Sequence, residues 1–343
     1  MKEKKRFIWQ IGLILLVFCS GLIFWNVFII ISPSDPLPVR VAYLTHSEPH
    51  NFSYPVHLLS ENDYSLLANY SFAFSILNLR CSKSTFLLAL VHSAPKNFHK
   101  RMVIRSTWGN KTENVEVFYV MGSSSNVDTQ RKIDAESRKY SDVIQGNFLD
   151  VYRNLTLKHI MSLKYVTYHC PQAKYILKTD DDVFVNMPLM KNFLSNDLSP
   201  FGASQLLLCS VQKSASVLRT YRSKWRVAFE EYPFRKYPPY CPGWAILYSP
   251  DVVFRLYKSA QNTSEIFWID DVHITGILAA KNNIVQTDNT DMIISESAQH
   301  QLVNNDVFPK EKFLFGQPDL KEREIRTMWA EVVAHTVTKS IFK

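Results

Sequence analysis

From residue 85 onward, short apolar segments alternate with segments of helical character, and this alternation limits the possible folds more than any other feature. Residues 86–91, 115–121 and 175–178 have the length and composition of buried strands. Residues 101–108, 128–140 and 154–169 have the pattern of helices, and Gly109 follows the first of them as a plausible cap. Strands that alternate with helices usually form a largely parallel sheet, so the sequence predicts an α/β domain over residues 85–343.

Three consecutive aspartates, Asp180, Asp181 and Asp182, come directly after the predicted strand 175–178. Ligands of parallel sheets bind at the carboxyl ends of strands, so this position favours a binding site. Neighbouring carboxylates repel one another, and Mg²⁺ or Mn²⁺ relieves that repulsion. The alternative is a solvated acidic turn that caps the next helix. The enclosing motif from Lys178 to Asn186 is more specific than the triplet alone.

A second acidic pair, Asp270 and Asp271, precedes a helical pattern over residues 273–281. A carboxylate in such a place can act as a general base toward a hydroxyl group. Paired aspartates also cap helices, and the residues by themselves favour capping.

The N-terminal residues 7–31 are apolar except for Gln10, Ser20 and Asn26, and positively charged residues precede them. As a helix, this run is longer than the roughly 30 Å hydrocarbon core of a membrane. It predicts a signal-anchor over residues 7–31, a cytoplasmic tail over 1–6 and a luminal remainder, which begins with a stem over 32–84. A cleaved signal peptide is the alternative, but its apolar core is usually shorter.

Other features fit a luminal location. Four cysteines beyond the apolar run, Cys81, Cys170, Cys209 and Cys241, can form two disulfides in any of three pairings. Five sequons are candidate glycosylation sites, at Asn51, Asn69, Asn110, Asn154 and Asn262.

The charge distribution argues against nucleic-acid binding, and the glycine pattern argues against a glycine-rich nucleotide-binding loop. The net charge is +8, but the 39 basic residues are scattered among 31 acidic ones, so nucleic-acid binding is not expected. The nine glycines form neither a dinucleotide-binding nor a P-loop pattern, so a bound nucleotide diphosphate would not rest in a glycine loop.

Seven blocks, in order, resemble the β-1,3-galactosyltransferase and β-1,3-N-acetylglucosaminyltransferase family, glycosyltransferase family 31. The resemblance covers about residues 85–335, and the blocks are residues 101–109, 118–122, 142–148, 152–158, 178–186, 237–243 and 270–272. It implies a GT-A fold, a UDP-sugar donor, a divalent cation that is usually Mn²⁺, inversion at the anomeric carbon and a Golgi type II membrane protein.

The resemblance also implies roles for the acidic residues. Asp182 resembles the direct metal ligand, with Asp180 and Asp181 directed toward the ribose and the water shell of the metal. Asp271 resembles the general base and Asp270 its acidic neighbour. A late histidine can be a metal ligand in this family, and His300 is the candidate.

Roles for six further residues follow from the matching blocks. Nucleotide binding is implied for Arg105, Asp142 and Lys158, while Trp225, Tyr240 and Gly243 resemble residues that line the sugar and acceptor region. Salt bridges, a solvated helix face and core packing are the alternatives for these side chains.

The chain departs from the family pattern in two places, and the first of them, at Ala245 and Ile246, concerns the donor pocket. Ala245 replaces a glycine, Ile246 stands where relatives commonly have tyrosine, and Asp270 stands where relatives often have glutamate. The first expectation is an inverting β-1,3-galactosyltransferase that extends glycoprotein, glycolipid or glycosaminoglycan-linker glycans. The alternatives are transfer from UDP-N-acetylglucosamine, or a catalytically silent luminal protein that binds glycans. The oligomeric state stays open.

Overall fold

The computed structural model describes residues 43–49, 54–59, 72–78, 81–261, 263, 265–305 and 307–341. Residues 42–343 form one compact unit. The predicted membrane anchor lies outside the described residues. Within the described ranges, every helix is too short or too polar to cross a membrane.

Ten strands are described: β1 Leu44–Thr45, β2 Phe74–Ile76, β3 Leu87–His92, β4 Val115–Ser123, β5 Val143–Leu149, β6 Tyr175–Asp180, β7 Ala203–Ser204, β8 Leu207–Cys209, β9 Ala245–Tyr248 and β10 Thr287–Asp288. The main helices are α1 Phe98–Arg105, α2 Val127–Tyr140, α3 Leu155–His169, α4 Met187–Asn192, α5 Pro250–Gln261, α6 Val272–Leu278 and Ala279–Lys281, α7 Glu296–Asn305 and α8 Glu322–Ile341. The turn Phe193–Leu198 after α4 and the first part of α6 are π-helical.

Eight of the strands form one mixed sheet in the order β10-β8-β9-β6-β3-β4-β5-β2. Its centre, β6-β3-β4-β5, is parallel, as the sequence predicts, while β9 and β2 run antiparallel to their neighbours. Successive strands first progress from β3 to β5, and the chain then returns to place β6 on the other side of β3. The sheet therefore has a topological switch point between β3 and β6, and ligands of open α/β sheets bind at such points.

The central strands are buried on both faces, because helices cover both sides of the sheet. In β3, Leu88 and Leu90 pack with α3 and α5 on one face, while Leu87, Ala89 and Val91 pack on the opposite face with α1 and α8. Side chains that alternate between two buried faces explain why β3 is an unbroken apolar run.

Parts of the segment predicted as a stem belong to this unit. Strand β2 extends the sheet by pairing with β5, and β1 pairs with β7 in a separate two-stranded sheet. Tyr54 and Phe72 are 8% and 5% exposed and pack in the core. Residues of the segment 32–84 thus supply an edge strand and part of the apolar core.

Two disulfides resolve the cysteine pairing that the sequence leaves open. Cys81 bonds to Cys170, with 5.5 Å between their Cα atoms. This bond ties the chain just before β3 to the end of α3. Cys209 bonds to Cys241, with a Cα separation of 5.6 Å, and ties β8 to the chain just before Gly243.

The helix predicted over residues 101–108 begins and ends earlier, at Phe98 and Arg105. Trp108 lies beyond it in a turn, 1% exposed, and the Gly109 amide donates to the Ile104 carbonyl at 2.9 Å. A Cβ on Gly109 would overlap the Ile104 side chain, so this glycine permits the tight end of the helix.

Candidate active site

A cleft of about 900 Å³ opens at the carboxyl ends of β3 and β6 and contains both acidic clusters. In the register of the two strands, His92 lies opposite Asp180, so the cleft is at the switch point of the sheet. A smaller cavity of about 280 Å³, lined by residues such as His46, Lys174 and Phe201, contains no acidic side chain. The large cleft is therefore the candidate active site.

The aspartate triplet begins at the last residue of β6 and turns into the cleft. The Asp181 carboxylate is buried and accepts hydrogen bonds from Ser93 Oγ at 2.6 Å and Asn97 Nδ2 at 2.8 Å. Lys100 Nζ lies 3.3 Å from Asp181 Oδ1 and 3.0 Å from Asp182 Oδ2. The triplet does not cap the next helix, because that position belongs to Asn186.

The first aspartate of the triplet is linked to the second cluster through a buried lysine. Lys178 Nζ lies 3.3 Å from Asp180 Oδ1 and 3.9 Å from Asp270 Oδ2, and it donates a short hydrogen bond to the Gly243 carbonyl. Burial and the carboxylates of Asp270 and Asp182 raise the pKa of Asp180 to about 6, although Lys178 opposes the shift. Lys178 is thus the shared counter-ion of both clusters.

Asp270 and Asp271 are adjacent in sequence but differ in their protonation behaviour. Burial alone would raise the pKa of Asp270, but the Lys178 ammonium and the hydrogen bond from His159 lower it to about 2. The pKa of Asp271 is raised well above its usual value by burial and by the neighbouring charge of Asp270. One carboxylate is therefore held ionised, and the other is made a stronger base.

Asp271 has the environment of a general base. Its Oδ1 atom is buried and has no hydrogen-bond partner among the described residues. Its side chain does not cap α6, so the capping alternative is not needed to explain this residue. A Cβ on Gly243 would overlap both Asp271 Oδ1 and Lys178 Nζ, so a larger residue at this position requires the ends of these two side chains to shift.

A histidine that the sequence did not single out supports Asp270. His159 on α3 is fully buried; its Nδ1 lies 3.1 Å from Asp270 Oδ2 and its Nε2 lies 3.0 Å from the Tyr248 hydroxyl. His159, Asp270 and Asp271 have the spacing of a metal-binding group. Because both ring nitrogens of His159 already have partners, a hydrogen-bond network accounts for this trio. The block 152–158 ends one residue before His159, which was the only hint in the sequence.

Lys158 lies in the cleft, as the resemblance implies. It is 3% exposed; its Nζ lies 2.8 Å from Asp150 Oδ2 and donates to the Ser93 carbonyl at 3.0 Å. Asp150 Oδ2 also accepts from the Gly122 amide at 2.6 Å, so these groups join the ends of β3, β4 and β5.

The opposite wall of the cleft is aromatic. Trp225 and Tyr240 both line it, and burial together with the Asp271 charge raises the pKa of Tyr240. Trp225 stacks on Trp268 with 6.2 Å between the ring centres, and the Tyr152 ring meets it edge-on at 5.3 Å. The residues predicted for the sugar and acceptor region, Trp225, Tyr240 and Gly243, therefore line one cleft with the acidic clusters.

Three predicted site residues are not brought to the cleft. Arg105 pairs with Asp142 through two hydrogen bonds of 2.9 and 2.8 Å, and its guanidinium packs over the Tyr119 and Tyr140 rings. His300 is exposed on α7 and does not line the cleft. Arg105 therefore forms the ion pair that the sequence left as an alternative. The nucleotide-binding roles of Arg105 and Asp142 stay predictions, and so does the metal-ligand role of His300.

The described sequons differ in accessibility. Asn110 is exposed in the turn after α1. Asn154 is half-buried, its side-chain amide donates to the Leu149 carbonyl at 2.9 Å, and the Thr156 hydroxyl of the same sequon is buried against the Phe267 carbonyl. Asn51, Asn69 and Asn262 lie outside the described residues.

The architecture and the cleft define a class of protein: an α/β enzyme with a ligand site at its sheet switch point, which combines a carboxylate triplet with a buried basic carboxylate. A sequence profile of the Galactosyltransferase family matches residues 99–290, a range that includes both acidic clusters. The chain belongs to this family and is a hexosyltransferase.

Individual relatives agree with this assignment. Human lactosylceramide 1,3-N-acetyl-beta-D-glucosaminyltransferase is 29% identical over 300 residues, which cover 82% of this chain and 76% of the relative. Gorilla beta-1,3-galactosyltransferase 5 is 35% identical over 203 residues, which cover 58% of this chain and 66% of the relative. The solved structure of the apo-form glycosyltransferase GlyE of Streptococcus pneumoniae TIGR4 matches 75% of this chain and 64% of the GlyE chain, at 10% sequence identity. Its TM-score of 0.30 is too low to bear on the fold.

Proposed function

We propose that this chain is an inverting, metal-dependent β-1,3-galactosyltransferase that transfers galactose from UDP-galactose to a 3-hydroxyl of a glycan. The observation that carries the proposal is the convergence of two carboxylate clusters in one cleft. One cluster offers oxygen ligands for a cation, and the other lines the same cavity with Asp271, whose buried Oδ1 has no hydrogen-bond partner among the described residues.

The residues present suit a divalent cation. The triplet, Asp270 and Asp271 all line the cleft, while Lys100 and Lys178 are the cations in direct contact with them among the described residues. The excess of carboxylate oxygens favours Mg²⁺ or Mn²⁺, and Asp182 with Asp180 would hold the ion while Asp181 is held by Ser93 and Asn97. When bound, such an ion would offset the charge that develops on the departing diphosphate.

The side chains of this chain then account for a single displacement. Asp271 accepts the proton of the acceptor hydroxyl, whose oxygen bonds to C1 of the sugar from the face opposite the diphosphate, and the C1–O bond to UDP breaks. Asp270 stays ionised beside Lys178 and keeps the pKa of Asp271 raised. Because the carboxylate acts as a base and forms no bond to carbon, the configuration at C1 inverts.

A second candidate keeps this mechanism and uses UDP-N-acetylglucosamine as the donor. The relative with 82% coverage of this chain is named for transfer of N-acetylglucosamine to lactosylceramide. Trp244 follows Gly243 in the lining of the cleft, whereas Ala245 is buried in the core on β9 and does not line it. The motif 237–241 together with Trp225 favours galactose.

The test measures UDP release by the purified chain with a panel of UDP-sugars and Mn²⁺, with and without EDTA. We expect EDTA-sensitive release from UDP-galactose that Asp182→Ala abolishes. Asp128→Ala is the matched control, because this aspartate is exposed in an ion pair on α2 with 78% of its side chain accessible. Release from UDP-N-acetylglucosamine alone would select the second candidate, and metal-independent release would overturn the metal requirement.

We further propose that the chain works in the Golgi membrane as a type II protein, anchored by residues 7–31, on glycoprotein or glycolipid acceptors. The apolar run and its positive flank support this orientation. Protease protection of the catalytic part in sealed Golgi vesicles, lost on adding detergent, tests it. Digestion without detergent would contradict the proposal.

A further inference from the structure

The segment 213–236, here called the aromatic lobe, follows β8 and forms one side of the cleft. Its two arms are joined by backbone hydrogen bonds from Val217 to Arg235 at 3.0 Å and from Val227 to Leu218 at 2.9 Å. The Arg219 guanidinium donates to four carbonyl groups of the lobe, those of Val227, Ala228, Tyr232 and Phe234, at 2.6 to 2.9 Å. The lobe is therefore a built structure and not an unsupported loop.

Large aromatic side chains project from this lobe into solvent. Tyr221, Phe229 and Phe234 are 85%, 62% and 65% exposed. The Phe229 ring lies 4.1 Å from the Arg219 guanidinium, which also donates to the Phe234 backbone carbonyl. The Phe234 ring itself meets the Tyr232 ring, with 5.5 Å between the ring centres. Exposed apolar groups gathered on a rigid support indicate an interaction surface.

The lobe is also strongly positive. Residues 213–236 contain seven lysines and arginines and two glutamates, a net charge of +5 out of the +8 of the whole chain. One of the glutamates, Glu231, is already engaged by Arg153 and by the Ala228 amide. Lys213 lies 3.9 Å from the Asp288 carboxylate, so the positive charge that complements an anionic partner is carried by the other basic side chains of the lobe.

The combination of positive charge and exposed aromatic rings distinguishes between two anionic partners, a soluble polyanion and a lipid surface. A soluble polyanion needs the cations but gains nothing from two exposed phenylalanines. A lipid surface uses both, because aromatic rings partition into the headgroup boundary while lysine and arginine contact phosphate groups. The chemistry of the lobe therefore favours a bilayer that contains anionic lipid.

We infer that the aromatic lobe docks on an anionic lipid surface, with Phe229 and Phe234 inserted among the headgroups and Arg235 and Lys236 next to lipid phosphates. Leu218, Lys224 and Trp225 of the same lobe line the cleft. If the proposed function holds, this surface is the luminal leaflet, and the lobe brings a membrane-borne acceptor with an anionic headgroup, such as an acidic glycolipid, to the cleft. The docking itself does not depend on that function.

The test compares hydrogen–deuterium exchange of the full chain in nanodiscs of phosphatidylcholine alone and in nanodiscs that also contain phosphatidylserine. Both preparations carry the same N-terminal segment, so anchoring does not confound the comparison. We expect exchange in residues 218–236 to slow only in the anionic nanodiscs, and Phe229→Ser/Phe234→Ser to abolish this protection. Val127→Ser/Val307→Ser is the matched control, since these valines are 63% and 52% exposed elsewhere.

Each outcome decides the docking separately from catalysis. Equal exchange in both nanodiscs overturns the proposal, as does protection that survives the phenylalanine changes. Protection by heparin in detergent, lost in Arg235→Gln/Lys236→Gln and unaffected by the phenylalanine changes, assigns the lobe to a polyanion instead. UDP release with a soluble acceptor is measured in the same samples and stays unchanged, so a silent enzyme is not mistaken for a failure to dock.

Discussion

At the scale of single residues, the contact between Gly243 and Asp271 sets the tightest constraint on the proposed chemistry. An added methyl group on Gly243 would overlap the Asp271 carboxylate and the Lys178 ammonium. Lys178 cannot move away freely, because it is buried and bound to both clusters, so the Asp271 carboxylate is the group that must shift. Asp271, Lys178 and this backbone segment therefore form one packed unit.

Gly243→Ala should displace Asp271 and lower kcat/KM by roughly 100-fold, since small misplacements of catalytic groups have costs of this order. Gly202→Ala is a suitable comparison. Its φ of 101° strains an alanine, but the nearest atom to its Cβ would be 3.6 Å away and the residue is outside the cleft. We expect Gly202→Ala to lower Tm and leave kcat/KM unchanged. Equal losses of activity in the two variants would contradict the packing argument.

The raised pKa of Asp271 predicts an acid limb in the pH profile of kcat/KM. A general base acts only when ionised, so activity falls as the pH drops through this pKa. Burial and the Asp270 charge both raise the pKa. Asp270→Asn removes the charge and leaves the burial, so the acid limb should move to lower pH. Kinetic profiles of both enzymes check this, and Asp271→Asn should remove the activity itself. An acid limb that stays in place would assign it to another group.

At the scale of elements, strands and disulfides hold the cleft together. The parallel neighbours β3 and β6 end beside each other, and β9 begins just after Gly243 in antiparallel pairing with β6. The Cys209–Cys241 bond fixes the segment before Gly243 to β8. This bond therefore contributes to the geometry of the cleft as well as to stability.

Replacing Cys209 and Cys241 by alanine should lower the free energy of unfolding by about 3–4 kcal/mol, as expected for a loop of this length. It should also raise KM for the donor, because Gly243 lies two residues from Cys241. The matched control removes Cys81–Cys170, whose separation of 89 residues predicts a stability loss of about 4–5 kcal/mol. That variant should keep its KM. Urea unfolding and donor kinetics measure the two effects, and an unchanged KM in the first variant would limit this bond to stability.

At the scale of the whole molecule, the described residues between 43 and 84 are part of the folded unit. Strand β2 covers the edge of β5, while Tyr54 and Phe72 fill the core next to α5 and β5. A domain that starts at residue 85, where the sequence places the boundary, would lack these groups and the Cys81–Cys170 bond.

A chain that begins at residue 85 should lose at least about 5 kcal/mol relative to one that begins at residue 42, from the uncovered aromatic side chains and the missing disulfide. The two fragments are compared by urea unfolding and by the yield of monomeric protein. Equal stability would mean that residues 42–84 pack on the domain without supporting it.

Local patterns in the sequence were sufficient to predict the central strands, the parallel core of the sheet and the positions of both acidic clusters. An apolar run of strand length and an acidic triplet at its end are short-range features of the sequence. Such a run forms a strand wherever that strand lies in the sheet. The positions of Lys158, Trp225, Tyr240 and Gly243 in the cleft also agree with the resemblance.

The tertiary structure alone decided which groups are partners, because the partners are far apart along the chain. His159 and Asp270 are separated by 111 positions, and Lys178 reaches Gly243 across 65. For the same reason, only the tertiary structure shows that Arg105 binds Asp142 away from the cleft and how the cysteines pair. It also shows that part of the segment 32–84 joins the core. The sequence by itself determined that this chain carries carboxylates at the end of a buried strand. Folding determined which of them is neutralised by a lysine and which is left as a base, because burial and the distance between charges exist only in the folded chain.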